Sequence, residues 1–317
     1  MILNMIFPSA VLLRYVVITK WNMIGNITTE DIYMQQVGNI KRRVDDADFL
    51  IENKKYESAL LLLLTAIDGS AIKVFPAKTQ SITNPTRTRK NRQIANEMPN
   101  SERYQRFLGV RIRQLLGIML SEDEYYAKEL IHFVEGQEDP EVIIYKAFRC
   151  NDVHESSIPT EYHYVYSEDA ISNNLSMEFS NGTIKFSSGF LSLLRSAIVY
   201  APCNGSEFGI NHFRLIPNSG ITEADIYEHC EKEYGVSYGK IISINRLLAG
   251  IGPSVHSFDL DDLAEIITES INPGTKIGLS FPRGGKPACI SNNRFTESGK
   301  SMLNYILKNS QVVDIAS

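Results

Sequence analysis

The run Arg149-Cys-Asn-Asp-Val-His154 places side by side two side chains suited to work on a phosphodiester. A guanidinium is a permanent cation that can neutralise charge developing on phosphorus. An imidazole moves a proton near neutral pH. With 16 arginines and six histidines in 317 residues, and three tolerated spacings, such a pair arises about once by chance, so its position carries more weight than its existence. It closes a helical pattern, and Asn151 and Asp152 stand where an ordinary core helix would continue its apolar stripe. The end of a helix also favours the imidazolium through the dipole, a useful bias for a general acid. The plainer reading is a helix end capped by a cation.

A second feature is electrostatic. Between Lys78 and Arg113 there are nine basic residues (Lys78, Arg87, Arg89, Lys90, Arg92, Arg103, Arg106, Arg111, Arg113) against two acidic ones (Glu97, Glu102). That is a local +7, and with a net charge of -5 the remainder of the chain carries -12. A basic stretch on an otherwise acidic protein is the footprint of a polyanion-binding segment. Within it, Arg87, Arg89, Lys90 and Arg92 are the candidate RNA contacts. The alternative is a solvated loop and a charged helix face that pairs with acidic residues elsewhere.

Other motifs fail. Gly250-Ile251-Gly252 lacks the third glycine of a dinucleotide fingerprint, and Gly284-Gly285-Lys286 is followed by Pro287, which blocks the helix a phosphate loop needs. Both read as turns. Cys150, Cys203, Cys230 and Cys289 lie at least 27 residues apart, which suits neither a zinc site nor a disulfide framework and points to the cytoplasm. No metal site and no cofactor is expected. Met1 to Trp21 is apolar-leaning but interrupted by Pro8, Arg14 and Lys20. It reads as a strand or peripheral helix, neither a membrane span nor a signal peptide, with translation from Met23 or Met34 as the alternative.

The elements that would position these residues are mainly helical. Val44, Ala47, Leu50 and Ile51 recur at helical spacing, Asn53-Lys54 break the pattern, and Tyr56 to Phe75 contains five consecutive leucines, apolar all round, as in a helix at the centre of a bundle. Ala77 to Asn100 has little periodicity and reads as a functional or disordered loop. Helices are expected from Ser101, from Ser121 to Val134, and from Asp139-Pro140 to His154, the last with an N-cap and a first-turn proline. Short connections imply antiparallel neighbours. Further on, Ser176 to Phe186 alternates around Asn181-Gly182, a hairpin signal, and Phe190 to Tyr200 is helical. Thr222 to Tyr234 carries a capping-box start and a Gly235 stop. Asp259 to Ile271 and Thr296 to Asn309 are amphipathic helices. Pro202, Asn204-Gly205 and Pro217-Asn218 mark a boundary between 201 and 220. The expected organisation is an N-terminal extension over 1–36, a bundle with hairpin and final helix over 37–200, and a mixed, mainly helical domain over 201–317.

The leucine helix Tyr56–Ala71, followed by a later helix ending Ala147-Phe-Arg-Cys-Asn-Asp-Val-His-Glu155, resembles the HEPN superfamily. The resemblance covers about 37–155 and excludes the basic loop. It implies a mainly α fold: a HEPN-like up-and-down bundle, here followed by a mixed α/β C-terminal region with a β-hairpin. Many HEPN proteins are metal-independent RNases of toxin, CRISPR-associated and anti-phage systems; others are inactive or bind nucleotides. The matching positions are Arg149 and His154, with Asn151 inside the motif and Asp68 joining by position alone. The polar residue that commonly follows the arginine directly is here Cys150.

Two functions follow from the resemblance. One is a metal-independent endoribonuclease, in which the RNA 2′-hydroxyl attacks the adjacent phosphate, kept in check by an antitoxin or regulatory partner. The other is a catalytically silent HEPN-like module that binds nucleic acid or a partner. Residues five apart on a regular α-helix lie about 140° apart around the axis. Arg149 and His154 therefore converge only if the helix widens at its end, or if two subunits pair their helix ends, as HEPN members usually do. A homodimer is the expectation, with no membrane association.

Overall fold

The leucine run sets the centre of the N-terminal region. In the computed structural model, which describes residues 2–5, 39–89, 92–116, 125–133, 135–152, 162–165, 175–180, 183–187, 189–270, 285–292 and 294–316, the chain is mainly helical. It divides into two compact units, Met1–Gly209 and Ile210–Ser317.

In the first unit, β1 (Ile2–Met5) precedes α1 (Asn39–Glu52) and α2 (Tyr56–Val74). Leu60, Leu63, Leu64 and Ile67 of α2 are buried, and Leu61 and Leu62 half-buried, so the helix is covered nearly all round. It packs on α1, on α3 (Asn100–Leu115) and, further along the chain, on α5 (Gly189–Val199). Between α3 and α5 lies α4 (Pro140–Ile143), which continues as a π-helix over Ile144–Asp152. Tyr104, Phe107 and Leu108 of α3, with Ile143, Ala147 and Phe148, complete the core.

Beside the bundle, β4 (Tyr162–Val165), β5 (Leu175–Ser180) and β6 (Thr183–Ser187) form with β1 a sheet of order β1-β5-β6-β4. The β5–β6 pair is the hairpin that the 176–186 alternation indicates, Met177 lying opposite Phe186 and Phe179 opposite Ile184. The β4–β6 pair is parallel. The unit closes with α6 (Gly205–Phe208).

Two expectations in this unit are corrected. The segment 77–100 is not a structureless loop: β2 (Thr86–Arg89) pairs antiparallel with β3 (Arg92–Ala95). Nor is 121–134 a helix where it is described. Tyr125–Tyr126 make part of a 3₁₀ turn, and 127–133 is irregular. The reason is tertiary. Carbonyls that a helix would use internally accept from α3 instead: Ala127 O and Lys128 O from Arg106, at 2.6 and 3.3 Å, and Ile131 O from Arg113 at 2.6 Å. The connections flanking α3 are consequently long, not the short ones of a simple up-and-down bundle.

The second unit contains β7 (Phe213–Pro217), α7 (Glu223–Tyr234), α8 (Tyr238–Ile251), α9 (Leu260–Ser270), the short β8 (Ile290–Ser291) and β9 (Arg294–Phe295), α10 (Glu297–Lys308) and β10 (Ser310–Asp314). β7 and β10 pair antiparallel. Thr222 and Asp225 form the complete capping box of α7, and Gly235 ends it in the left-handed conformation. Helix α8 has no counterpart among the expected elements. Gly250 lies in its last turn, and Gly252 alone makes the turn there, at φ 80°. Ile226, Cys230, Ile241, Ile244, Leu248, Leu263, Met302 and Ile306 form the core. Cys203, Cys230 and Cys289 are free thiols, and burial pushes the Cys230 thiol up to about 12, which leaves it unreactive.

Candidate functional site at the end of the fourth helix

The helix that carries Arg149 is anchored at its start by a buried charge cluster. Asp139 and Pro140 open α4, as their types suggest, but the Asp139 carboxylate makes no cap bond to its own helix. It accepts from Phe133 N at 3.0 Å and meets the His132 ring at 2.8 Å and Arg113 Nη2 at 3.2 Å. Arg113, on α3, is fully buried. It donates to Glu141 Oε1 at 2.8 Å, to Gly109 O at 2.9 Å and to Ile131 O, and its guanidinium lies 4.4 Å from the Phe133 ring centroid. Burial pushes the Glu141 carboxyl above its ordinary value, and Arg113 offsets only part of that shift.

The fit is close because Gly109 has no side chain. A Cβ there would lie 2.6 Å from Glu141 Oε1 and 2.9 Å from Leu130 Cδ1. Removing one member of a buried ionic group of this kind costs about 3–5 kcal/mol. The register of α4 is therefore fixed by residues on another helix, and none of them belongs to the Arg–His motif. Arg113, Glu141 and Gly109 are the positioning residues that the sequence did not single out.

Beyond this anchor the winding widens. Over Ile144–Asp152 the backbone is a π-helix, in which hydrogen bonds link residues five apart and so bring them nearer to one face than an α-helix would. Ile144, Ala147 and Phe148 are buried, and Tyr145 meets Tyr104 with ring centroids 5.2 Å apart. The segment packs against α2. Arg149 and Asn151 lie in the π-helix; His154 falls outside the described residues. Asp68 is half-buried on α2, the helix against which the π-helix rests. Among the described residues no group of three His, Cys, Asp or Glu side chains could hold a metal ion.

The basic stretch divides in two. Arg106, Arg111 and Arg113 are buried structural residues and do not belong to a polyanion-binding face. Arg106 pairs with Glu102 at 3.1 Å; Arg111 donates to Ala197 O at 3.3 Å and Tyr200 O at 2.6 Å, the closing carbonyls of α5. Arg87 is exposed on β2, and Arg89 lies opposite Arg92 in the ribbon. Lys90 is outside the described residues.

Fold and anchor together define a helical unit built on a leucine-rich central helix, with a widened helix packed on it. A family model, Rv1289, matches residues 39–216, more than half of the chain, from the first residue of α1 into β7. The chain belongs to the Rv1289 family. No curated protein and no solved structure matches it. Among the described residues no helix is long and apolar enough to cross a membrane.

Proposed function

We propose that the first unit is a HEPN-like endoribonuclease whose site is the end of the widened fourth helix. The carrying observation is the winding of that helix as far as Asp152: its i→i+5 bonding brings positions five apart, the spacing of Arg149 and His154 in the sequence, nearer to one face than an α-helix does. On a regular α-helix that spacing would send the two side chains apart. Packing of this segment on the leucine helix, with Asp68 on that helix, supports the same reading. Widening of the helix as far as Asp152 favours convergence within one chain, and a composite site across two subunits stays the alternative route. A homodimer remains part of the proposal through the HEPN resemblance, and light scattering at micromolar concentration tests it.

In this mechanism the RNA 2′-hydroxyl gives up its proton to solvent water as its oxygen attacks the adjacent phosphorus, the bond from phosphorus to the 5′-oxygen breaks, and a cyclic phosphate and a free 5′-hydroxyl result. His154 delivers a proton to the leaving oxygen, and Arg149 neutralises the charge gathering on the phosphoryl oxygens. The nucleophile is supplied by the substrate, so DNA is not cleaved. Incubation of the purified chain with mixed RNA in EDTA, beside His154→Ala, tests the proposal. Cleavage that persists in chelator and falls about 10²–10⁴-fold in the variant supports it. Equal cleavage by the variant refutes the mechanism; binding without cleavage by the natural protein assigns the unit to the silent binding class.

A further inference from the structure

We infer that the β2–β3 ribbon is a separate grip for the phosphodiester backbone of a nucleic acid, independent of whether the α4 end cleaves it. The register carries the inference. Arg87 lies opposite Ile94 and Arg89 opposite Arg92, while Thr86 lies opposite Ala95 and Thr88 opposite Gln93. Alternation along a strand therefore puts positions 87, 89, 92 and 94 on one face and 86, 88, 93 and 95 on the other. One face holds three arginine positions, spaced about 7 Å along a strand and about 5 Å across the ladder. The other face carries only uncharged residues. Among the residues whose burial is described, Thr86, Arg87, Thr88, Gln93 and Ala95 are exposed and Ile94 is half-buried.

An isolated two-stranded ribbon is marginal by itself, and this one is held at its base. Ser81 N donates to Asn96 O at 2.8 Å and Asn96 N to Pro85 O at 3.0 Å, closing the strands below the ribbon. The Glu102 carboxylate, at the start of α3, accepts from Ser81 Oγ at 2.7 Å and from Ile82 N and Thr83 N at 2.9 Å each. Arg106 braces Glu102 from behind. The charges are thus carried on a fixed mount. From 79 to 96 the sequence contains four basic residues and no acidic one, so against a net charge of -5 the rest of the chain carries -9. Charges placed to stop strand addition at a ribbon edge do not need one sign or one face; a surface for phosphates needs both.

The test is fluorescence anisotropy of the full chain in EDTA, with single-stranded RNA, duplex RNA and single-stranded DNA of equal length, between 50 and 200 mM salt. The comparison variants carry Arg87, Arg89 and Arg92 replaced together by Gln or together by Lys. At about 0.7–0.9 per phosphate contact, the Gln variant should flatten the slope of log affinity against log salt by about 2–3. The part of the salt effect it removes is about 20–40-fold over this range. The Lys variant should keep the natural slope. Comparable affinity for all three nucleic acids identifies the shared phosphate backbone as the ligand, and binding confined to RNA identifies RNA as its source; both support the grip. Absence of binding to all three, or an unchanged slope in the Gln variant with its melting temperature intact, overturns it. Loss of cleavage with retained binding bears on the α4 site alone.

Discussion

Replacing Gly109 by Ala sets two effects of known sign against each other. In the middle of an exposed helix the change is favourable by about 1 kcal/mol. Here the new Cβ would lie 2.6 Å from Glu141 Oε1 and 2.9 Å from both its Cδ and Leu130 Cδ1, too close for any real contact. Glu141 cannot swing into solvent, because it is buried and held by Arg113. Relief must come from displacing α4 or loosening the ion pair. Overpacking of this kind costs about 1–3 kcal/mol, and complete loss of the buried pair would add to that, up to about 3–5 kcal/mol. Overpacking less the helix gain leaves about 0–2 kcal/mol, and partial loosening of the ion pair brings the net loss to about 2 kcal/mol, so the clash wins. In a unit of this size that lowers the melting temperature by about 4–8 °C. Urea and thermal melts measure it, with Gly250→Ala as the control. That glycine is also helical, but nothing lies within 4 Å of its added Cβ, so the control should match or slightly exceed the natural protein. A Gly109→Ala protein as stable as its parent would refute the close approach of α3 and α4, and with it the account of how Arg149 is positioned.

Arg113→Met should destabilise by about 3–5 kcal/mol, since it leaves Asp139 and Glu141 buried without their cation. Burial holds the Glu141 pKa above its unfolded value, so its folded state favours the proton and its contribution to stability falls as pH rises from the ordinary carboxylate range through the raised value; the Arg113→Met defect should accordingly shrink in acid, and a defect independent of pH would contradict this. Glu102 has the opposite sign. Burial pushes it up, but hydrogen bonds from Ser81, Thr83 and Ile82 and from Arg106 outweigh that and hold it below its ordinary value. The base of the ribbon is therefore fully braced above the unfolded carboxylate pKa and loosens as pH falls through the lower folded value, which amide exchange at Ile82 and Thr83 would detect. Gly299→Ala should cost the second unit more than about 2 kcal/mol, because the added Cβ would lie 2.1 Å from the Cys289 carbonyl oxygen, a backbone atom that cannot rotate away; an unaltered melt would show that the α10 start is looser than described.

Elements specified by neighbouring residues were readable from the sequence. Thr222, Asp225 and Gly235 fix both ends of α7 through bonds spanning only a few residues, and the Tyr56–Val74 helix follows from its leucines. What escaped was specified from a distance or left no apolar period. The ribbon strands Thr-Arg-Thr-Arg and Arg-Gln-Ile-Ala hold Ile94 and Ala95 as their only apolar residues, so they carry no alternation of apolar and polar residues to recognise. Residues 127–133 are kept out of a helix by arginines 18 to 22 positions earlier. In α8 the apolar pattern was present, but the glycines at its end read as a turn. The winding of the fourth helix was hidden for another reason: burial of Ile143, Ile144, Ala147 and Phe148 suits an α-helix as well as a π-helix. The helical pattern carrying Arg149 was visible, whereas the cluster that anchors its start joins positions 28 apart.

The two ends of the first unit are fastened to each other. Glu207 accepts from Lys41 N in the first turn of α1, 166 residues away, and pairs with Lys73 at 2.6 Å near the end of α2. Asp48 and Arg195, 147 apart, form a two-pronged pair, and the buried Asn204 donates to Ser70 Oγ at 2.8 Å. During synthesis at about 5–20 residues per second, the α1–α2 pair thus emerges roughly 6–27 s before the residues that fasten it. Over that interval the exposed leucine surface is a target for chaperones, and final closure waits on contacts of high sequence separation, which are slow to form for a largely helical protein.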